Sequence, residues 1–331
     1  MLFLSSILIL NLLLTFYFKK FSEYLGLFDY PDKNRKLHKS PVASIGGCII
    51  FANLFVFFIF KSIQNFYFDI NFEDNYYNFL IFFIFSSLFF FIGFLDDKYG
   101  LGPNLKLFVF SIFILCILFI LEDLALTSIR FSFIEKSLNI SSIKFPFTML
   151  CILLFLNAFN MFDGINLQSA IYSLHIFLIF ILQGIYIDIS LVMIISLIFF
   201  SYLNFKNKCF LGNNGSLVIA FIISYLFINS QSSLYPFYAD EIFLAMEIPG
   251  LDLLRLAIQR SLAKKHPFYP DRNHIHHLLI NKLGFRRTLF VLLSLIVIPN
   301  FLSALYGNTL YYIILSLIVY IFIIFRLKKK D

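Results

Sequence analysis

The sequence predicts an all-α, polytopic membrane protein of about eleven transmembrane helices, and three observations predict it. Hydrophobic residues make up 60% of the 331 and charged residues only 14%, whereas a soluble domain carries about 45–50% apolar and about 25% charged residues. Apolar segments long enough to cross a bilayer recur along the whole chain, with no gap of soluble-domain length. Lysine and arginine concentrate in alternate connections between those segments, the bias that sets membrane orientation.

A helix crosses about 30 Å of hydrocarbon with about 20 residues. The first apolar segment, 2–18, has no basic residue ahead of it and no small-residue cleavage site after it, so it reads as a span and not as a removed signal peptide. Segments 44–62, 78–95 and 105–121 follow, then the short 146–160, then 167–185 and 187–203. The short 215–229, then 241–258, 288–305 and 309–325 complete the set. With a periplasmic N-terminus and a cytoplasmic C-terminus, every odd connection faces the cytoplasm. Of the 26 Lys and Arg residues, all but Lys61, Arg130, Lys136 and Lys144 then lie inside. One missed span would invert every later loop and destroy that bias. The net charge of +7 is thereby explained as topology, with anionic lipid as its partner. No basic groove of soluble size offers itself to nucleic acid.

Four cysteines, Cys48, Cys116, Cys151 and Cys209, show no paired spacing and read as reduced thiols. The 48 phenylalanines without a tryptophan are compositional bias.

One domain, 1–331, is expected, with polar residues grouped near 19–43, 96–106, 157–166, 204–216 and 259–287, all on the predicted cytoplasmic side. Asp96 and Asp97 end an apolar helix; adjacent carboxylates at a membrane surface repel unless a divalent cation or a basic substrate group joins them. One aspartate would suffice for a plain polar terminus. Asn157 and Asn160 share a helical face, and Asp163-Gly164 reads as a turn. In Phe210-Leu211-Gly212-Asn213-Asn214-Gly215-Ser216, glycines let backbone amides approach an anion at a helix start, although Ser216 as a simple cap also fits. Arg272-Asn273-His274-Ile275-His276-His277 suits phosphate or substrate better than zinc, since no cysteine is near. The fifth group, Arg35 to Pro41, serves equally as a positive-inside anchor, and Gly46-Gly47 after it signals close backbone approach. Asp252 and Arg255 read as an ion pair within one helix, and His175 as a packed residue without a role.

Carboxylates, glycine turns, histidines and cations on one face suit Mg²⁺-assisted phosphoryl transfer, in which a few carboxylates and substrate phosphates hold the ion. Neither a Walker lysine motif nor a Gly-x-Ser-x-Gly elbow is present in the sequence, which argues against an ATP-driven pump and a serine hydrolase.

Over nearly its full length the chain resembles the polyprenyl-phosphate N-acetylhexosamine-1-phosphate transferases. The matching stretches are Phe94 to Gly100, Asn157 to Ile165, Phe210 to Ser216 and Pro267 to Leu278, with Asp29 to Gly47 ahead of them. The histidine segment resembles the branch that starts lipid-linked O-antigen, enterobacterial common antigen or teichoic acid glycans, with UDP-N-acetylglucosamine as donor. The resemblance implies that undecaprenyl phosphate attacks the sugar-linked phosphorus of a UDP-N-acetylhexosamine and UMP leaves. It implies catalytic roles for Asp96, Asp97 and Asp163 and substrate contacts from Asn157, Asn160, Phe210 (stacked on uracil), Asn213, Arg272, His274, His276 and His277. It also implies a metal, Mg²⁺ or alternatively Mn²⁺, on Asp97, Asp163 and Asn213, and a bacterial inner-membrane enzyme facing the cytoplasm. Two positions depart from the pattern. Asn213 stands where the family has a metal-ligating Asp, and Asn166-Leu167 replaces Asp-Gly. Phospho-MurNAc-pentapeptide transfer, a catalytically impaired binder of lipid phosphate or UDP-sugar, and a transporter are the alternatives; a homodimer is left open.

Overall fold

The computed structural model describes residues 2–31, 40–68, 76–233, 236–264 and 272–328. Among them the chain forms twelve α-helices: α1 Leu2–Leu25, α2 Gly46–Phe68, α3 Tyr76–Tyr99, α4 Pro103–Ile120, α5 Lys144–Phe162, α6 Gln168–Leu182, α7 Ile187–Phe205, α8 Gly212–Asn229, α9 Ala239–Leu262, α10 Ile275–Leu283, α11 Phe285–Tyr306 and α12 Thr309–Lys328. Two small antiparallel pairs accompany them, β1 (Phe28–Asp29) with β2 (Val42–Ala43) and β3 (Ser128–Phe131) with β4 (Ile134–Asn139).

The protein is an all-α polytopic membrane protein. Each predicted apolar segment falls on its own helix, although 44–62, 105–121 and 167–185 run past a helix end by up to three residues, and nine of these helices are long and apolar enough to cross a bilayer. The other two are α6, with 15 residues, and α9, which carries buried Asp240, Glu247 and Asp252. Outward faces are apolar, with Phe16, Phe108, Phe290 and Phe325 exposed, as lipid contact requires. Helix α1 continues past the apolar segment to Leu25 because backbone bonding outlasts hydropathy; Gly26, at φ +66°, then ends it. The sequence reading missed α10 altogether, since nine residues with two histidines carry no membrane signal.

Helix α8 is the axis of the bundle. It packs against α2, α3, α5 and α6, and every residue from Asn214 to Ile228 is buried. Close crossing at its N-terminal end depends on missing side chains. A Cβ on Gly47 would fall 2.2 Å from the Gly215 nitrogen, and one on Gly93 2.6 Å from Cα of Asn214. Small residues permit such approach where no hydrophobic gain drives helix association in lipid. Elsewhere polar pairs lock helices together. Asn11 and Asn53 exchange amide hydrogen bonds of 2.6 and 3.0 Å between α1 and α2. Pro249 frees the Ala245 carbonyl inside α9, and the Tyr172 hydroxyl donates to it at 3.1 Å.

The described parts of the connections after α1, α3, α5, α7 and α9 converge at one end of the bundle, as the contacts described next show. At the other end Lys61 pairs with Asp188 at 2.6 Å and Lys144 with Glu122 at 3.8 Å, and the β3–β4 hairpin carries Arg130 and Lys136. The four cations that broke the charge pattern therefore belong to that opposite end.

Candidate active site

The last turn of α3 sends its two carboxylates in different directions. Asp97 accepts the backbone N–H groups of Asn213 (2.8 Å) and Asn214 (2.9 Å) and the Asn214 side-chain amide (2.6 Å). A helix start leaves N–H groups without intrahelical partners and carries partial positive charge; a carboxylate from a neighbouring helix here satisfies both. Ser216, for which a simple cap is the alternative reading of the sequence, lies inside α8 instead, and its hydroxyl accepts the Asn160 amide at 2.7 Å. Gly212 has φ +75°, and a Cβ there would meet Asp97 Oδ2 at 2.7 Å. Asp96 accepts the Leu101 N–H and the Lys106 ammonium, each at 2.8 Å. The positive partners that the pair demanded thus come from the protein itself: Lys106 for one, the α8 terminus for the other.

Helix α5 supplies the next layer. Asn160 also donates to Asn213 Oδ1 at 2.8 Å, so the departing Asn213 sits between the Asp97 end of α3 and α5. Asn166, the second departure, turns away and donates to the Asn204 carbonyl (2.9 Å) and to Asn207 Oδ1 (2.6 Å), tying the connection after α5 to that after α7. Asp163 follows the last residue of α5 and accepts the Ser169 hydroxyl at 2.5 Å. Burial pushes its carboxyl up to about 6, against the lowering hydrogen bond from Ser169.

The turn Asp163-Gly164 lies under the histidine segment. A Cβ on Gly164 would fall 2.0 Å from Nε2 of His276. His276 is buried, and among the described residues its Nδ1 has no hydrogen-bond partner; burial and the neighbouring imidazoles of His277 and His274 hold its pKa well below the usual histidine range. His274 stacks on it at 5.2 Å. Asp252 accepts from Nδ1 of His274 (2.9 Å), from Arg255 (2.6 Å), from the Tyr320 hydroxyl (3.1 Å) and from the Ile275 N–H (3.2 Å) at the start of α10. The predicted ion pair within α9 exists, but its larger task is to anchor the histidine segment.

A cavity of about 510 Å³ opens among these groups. It gathers seven of the predicted site residues, Asp96, Asn157, Asn160, Arg272, His274, His276 and His277, and adds Lys106, Gly164 and Arg260, which the sequence reading counted only as topology or turn. Asp97, Asp163, Phe210 and Asn213 do not line it. Phe210 belongs to a platform beside α2: its N–H donates to Ala43 at 2.7 Å and its carbonyl accepts from Gly46 at 3.0 Å. The segment Arg35 to Lys39 and the stretch Pro267 to Asp271 fall outside the described residues. Among the described residues no three His, Cys, Asp or Glu side chains cluster as a metal site. Mg²⁺ needs no such cluster, since one or two carboxylates with substrate phosphates and water suffice, and Asp163 at the end of α5 offers a carboxylate of that kind.

Fold and site together give a membrane helix bundle with a cation-lined polar cavity at one end. Residues 79–231 match the model of glycosyl transferase family 4. An undecaprenyl-phosphate alpha-N-acetylglucosaminyl 1-phosphate transferase of Yersinia pestis is 26% identical, over 84% of this chain and 76% of its own length. Proteins of the same description from Salmonella typhi and Escherichia coli (strain K12) are each 25% identical, over 88% of this chain and 79% of theirs. The chain is thus similar to these transferases along most of its length, at about 25% identity, and to the family model over residues 79–231.

Proposed function

We propose that this protein transfers N-acetylglucosamine-1-phosphate from UDP-N-acetylglucosamine to undecaprenyl phosphate at the cytoplasmic face of a bacterial inner membrane. The observation that carries the reading is the cavity itself, where Lys106, Arg260, Arg272 and three histidines surround a space walled by α4, α5 and α9. The relatives' names support the sugar and the lipid.

In the proposed reaction an oxygen of the lipid phosphate attacks the sugar-linked phosphorus. The bond to the UMP oxygen breaks, and UMP leaves with the electron pair. A phosphate monoester is ionised near neutral pH, so no general base is required. The negative charge spread over the transferring group needs fixed positive partners. Lys106, held by Asp96, and the two arginines supply them, arginine being suited to bidentate phosphate contacts. Asn157 and Asn160 offer amides to the sugar or diphosphate; Asp163, which precedes the cavity-lining Gly164, would hold Mg²⁺, whose charge would add to that of Lys106 and the arginines. An apolar groove of about 520 Å³ runs along the same helices, α5 and α9, with Phe155 and Ala158 facing it while Leu156 and Asn157 face the cavity. The polyprenyl chain is assigned to that groove.

The test is UMP release by purified protein in detergent, with undecaprenyl phosphate, a panel of UDP-sugars, and Mg²⁺, Mn²⁺ or EDTA. Release that requires lipid, one donor and a metal supports the reading. Absence of release from folded protein under every condition favours the impaired binder, which Asn213 in place of a metal-ligating Asp motivates.

A further inference from the structure

His274 is held by two groups of opposite kind. Asp252 Oδ2 lies 2.9 Å from Nδ1, and an Arg260 nitrogen lies 3.4 Å from Nε2. An ionised carboxylate has no proton to give, and a guanidinium has no lone pair to offer. Both contacts are hydrogen bonds only if the proton sits on Nδ1 and the lone pair on Nε2. A neutral imidazole therefore links the two, and its tautomer is dictated from α9.

The surroundings fix the carboxylate as firmly as the ring. Asp252 is buried, and Arg255, Tyr320 and the Ile275 N–H share its oxygens. Arg255 in turn donates to the Tyr320 hydroxyl at 3.1 Å and to the Asn273 carbonyl at 2.7 Å. Helices α9 and α12 and the residue before His274 thus form one polar joint. Arg260 lines the cavity two turns along α9 from Asp252.

We infer that Asp252 is a positioning residue, which holds His274 as the Nδ1–H tautomer so that Nε2 accepts from Arg260 and aims the guanidinium at the anionic donor substrate. This rests on the proposed transfer from a UDP-sugar. On this view His274 acts on substrate through Arg260, and its essential feature is an acceptor nitrogen. Behind metal-ligating histidines, loss of such an orienting carboxylate typically costs about 10–100-fold, and a change of that order is expected here.

The experiment uses the full chain in detergent with UDP-N-acetylglucosamine and undecaprenyl phosphate. Asp252→Asn is expected to raise KM for the donor by about 10–100-fold, with a smaller change in kcat. His274→Asn keeps an N–H toward Asp252 but loses the acceptor toward Arg260, and should show the same rise. Tyr320→Phe, which removes one of the several donors to Asp252 and leaves the His274 contact, should raise KM by less than Asp252→Asn does. Independently of turnover, ¹⁵N-histidine spectra of the wild type, with His274 assigned by its substitution, should show the Nδ1–H form, and Asp252→Asn should lose it. An Nε2–H form in the wild type overturns the inference even if Asp252→Asn does not fold. So does an Asp252→Asn protein with unchanged KM and unchanged tautomer. Should the wild type release no UMP from any donor, the proposed function fails, while the spectra still decide the tautomer.

Discussion

Gly164 and His276 occupy one another's space: the imidazole lies where any side chain at position 164 would have to go, with Nε2 2.0 Å from an added Cβ. The turn after α5 and the start of α10 are consequently one unit, joined by the absence of a methyl group. Gly164→Ala must displace a buried ring. We expect loss of at least about tenfold in UMP release, equivalent to about 1.4 kcal/mol, with helical content by circular dichroism unchanged. Wild-type turnover in that variant would show the ring to be free to move.

The two carboxylates of the Asp pair should fail in different ways. Asp97→Ala leaves buried N–H donors at the start of α8 without an acceptor, each costing about 1–3 kcal/mol, so thermal unfolding in detergent should shift clearly downward. Asp96→Ala releases Lys106, whose side chain is 25% exposed and reachable by water. That variant should keep most of its thermal stability and lose transfer. Equal stability losses in the two would contradict the distinct roles drawn from their partners.

Asn213→Asp places a second carboxylate beside Asp97. A second charge strengthens a cation site and repels the existing carboxylate when no cation is bound. The Mg²⁺ concentration for half-maximal activity should fall on the order of tenfold, and the protein without metal should unfold at lower temperature. Titration of activity and of thermal stability with Mg²⁺ reads both.

Asp163 carries the pH prediction. Its carboxyl is raised from 3.8 to about 6 by burial, so the folded state takes up a proton more readily than the unfolded chain. Stability from this group is therefore present at low pH and is lost as pH rises through about 6. Activity runs the opposite way, because the ionised form is the one proposed to serve the diphosphate and metal: kcat/KM should fall as pH drops through about 6. Ser169→Ala removes the hydrogen bond that favours the ionised form, so the acid limb should move to higher pH. A limb that stays put would mean that another group sets it.

Much of this protein could be read without coordinates. Lipid as solvent imposes a length and an apolarity on each span, so the segments stood out singly, and the charge parity put their connections on two sides. The Asp pair, the Asn157–Asn160 face, the Asp163-Gly164 turn and the histidine run were visible as polar residues where apolar ones were expected. Their partners were not, because partnership here is made across sequence distances that carry no periodic signal. Asp97 meets Asn213 and Asn214 only because α3 crosses α8 at glycines. Lys106 and Arg260 looked like topology charges until the cavity placed them beside Asp96 and His274. Ser216 looked like a cap until Asp97 arrived from another helix to take that task. Composition and spacing determined that the chain lives in a bilayer and keeps its polar groups at one end; which carboxylate faces a lysine, which faces a helix terminus and which aims a histidine was decided by helix packing, since only close crossing brings donor and acceptor within 3 Å.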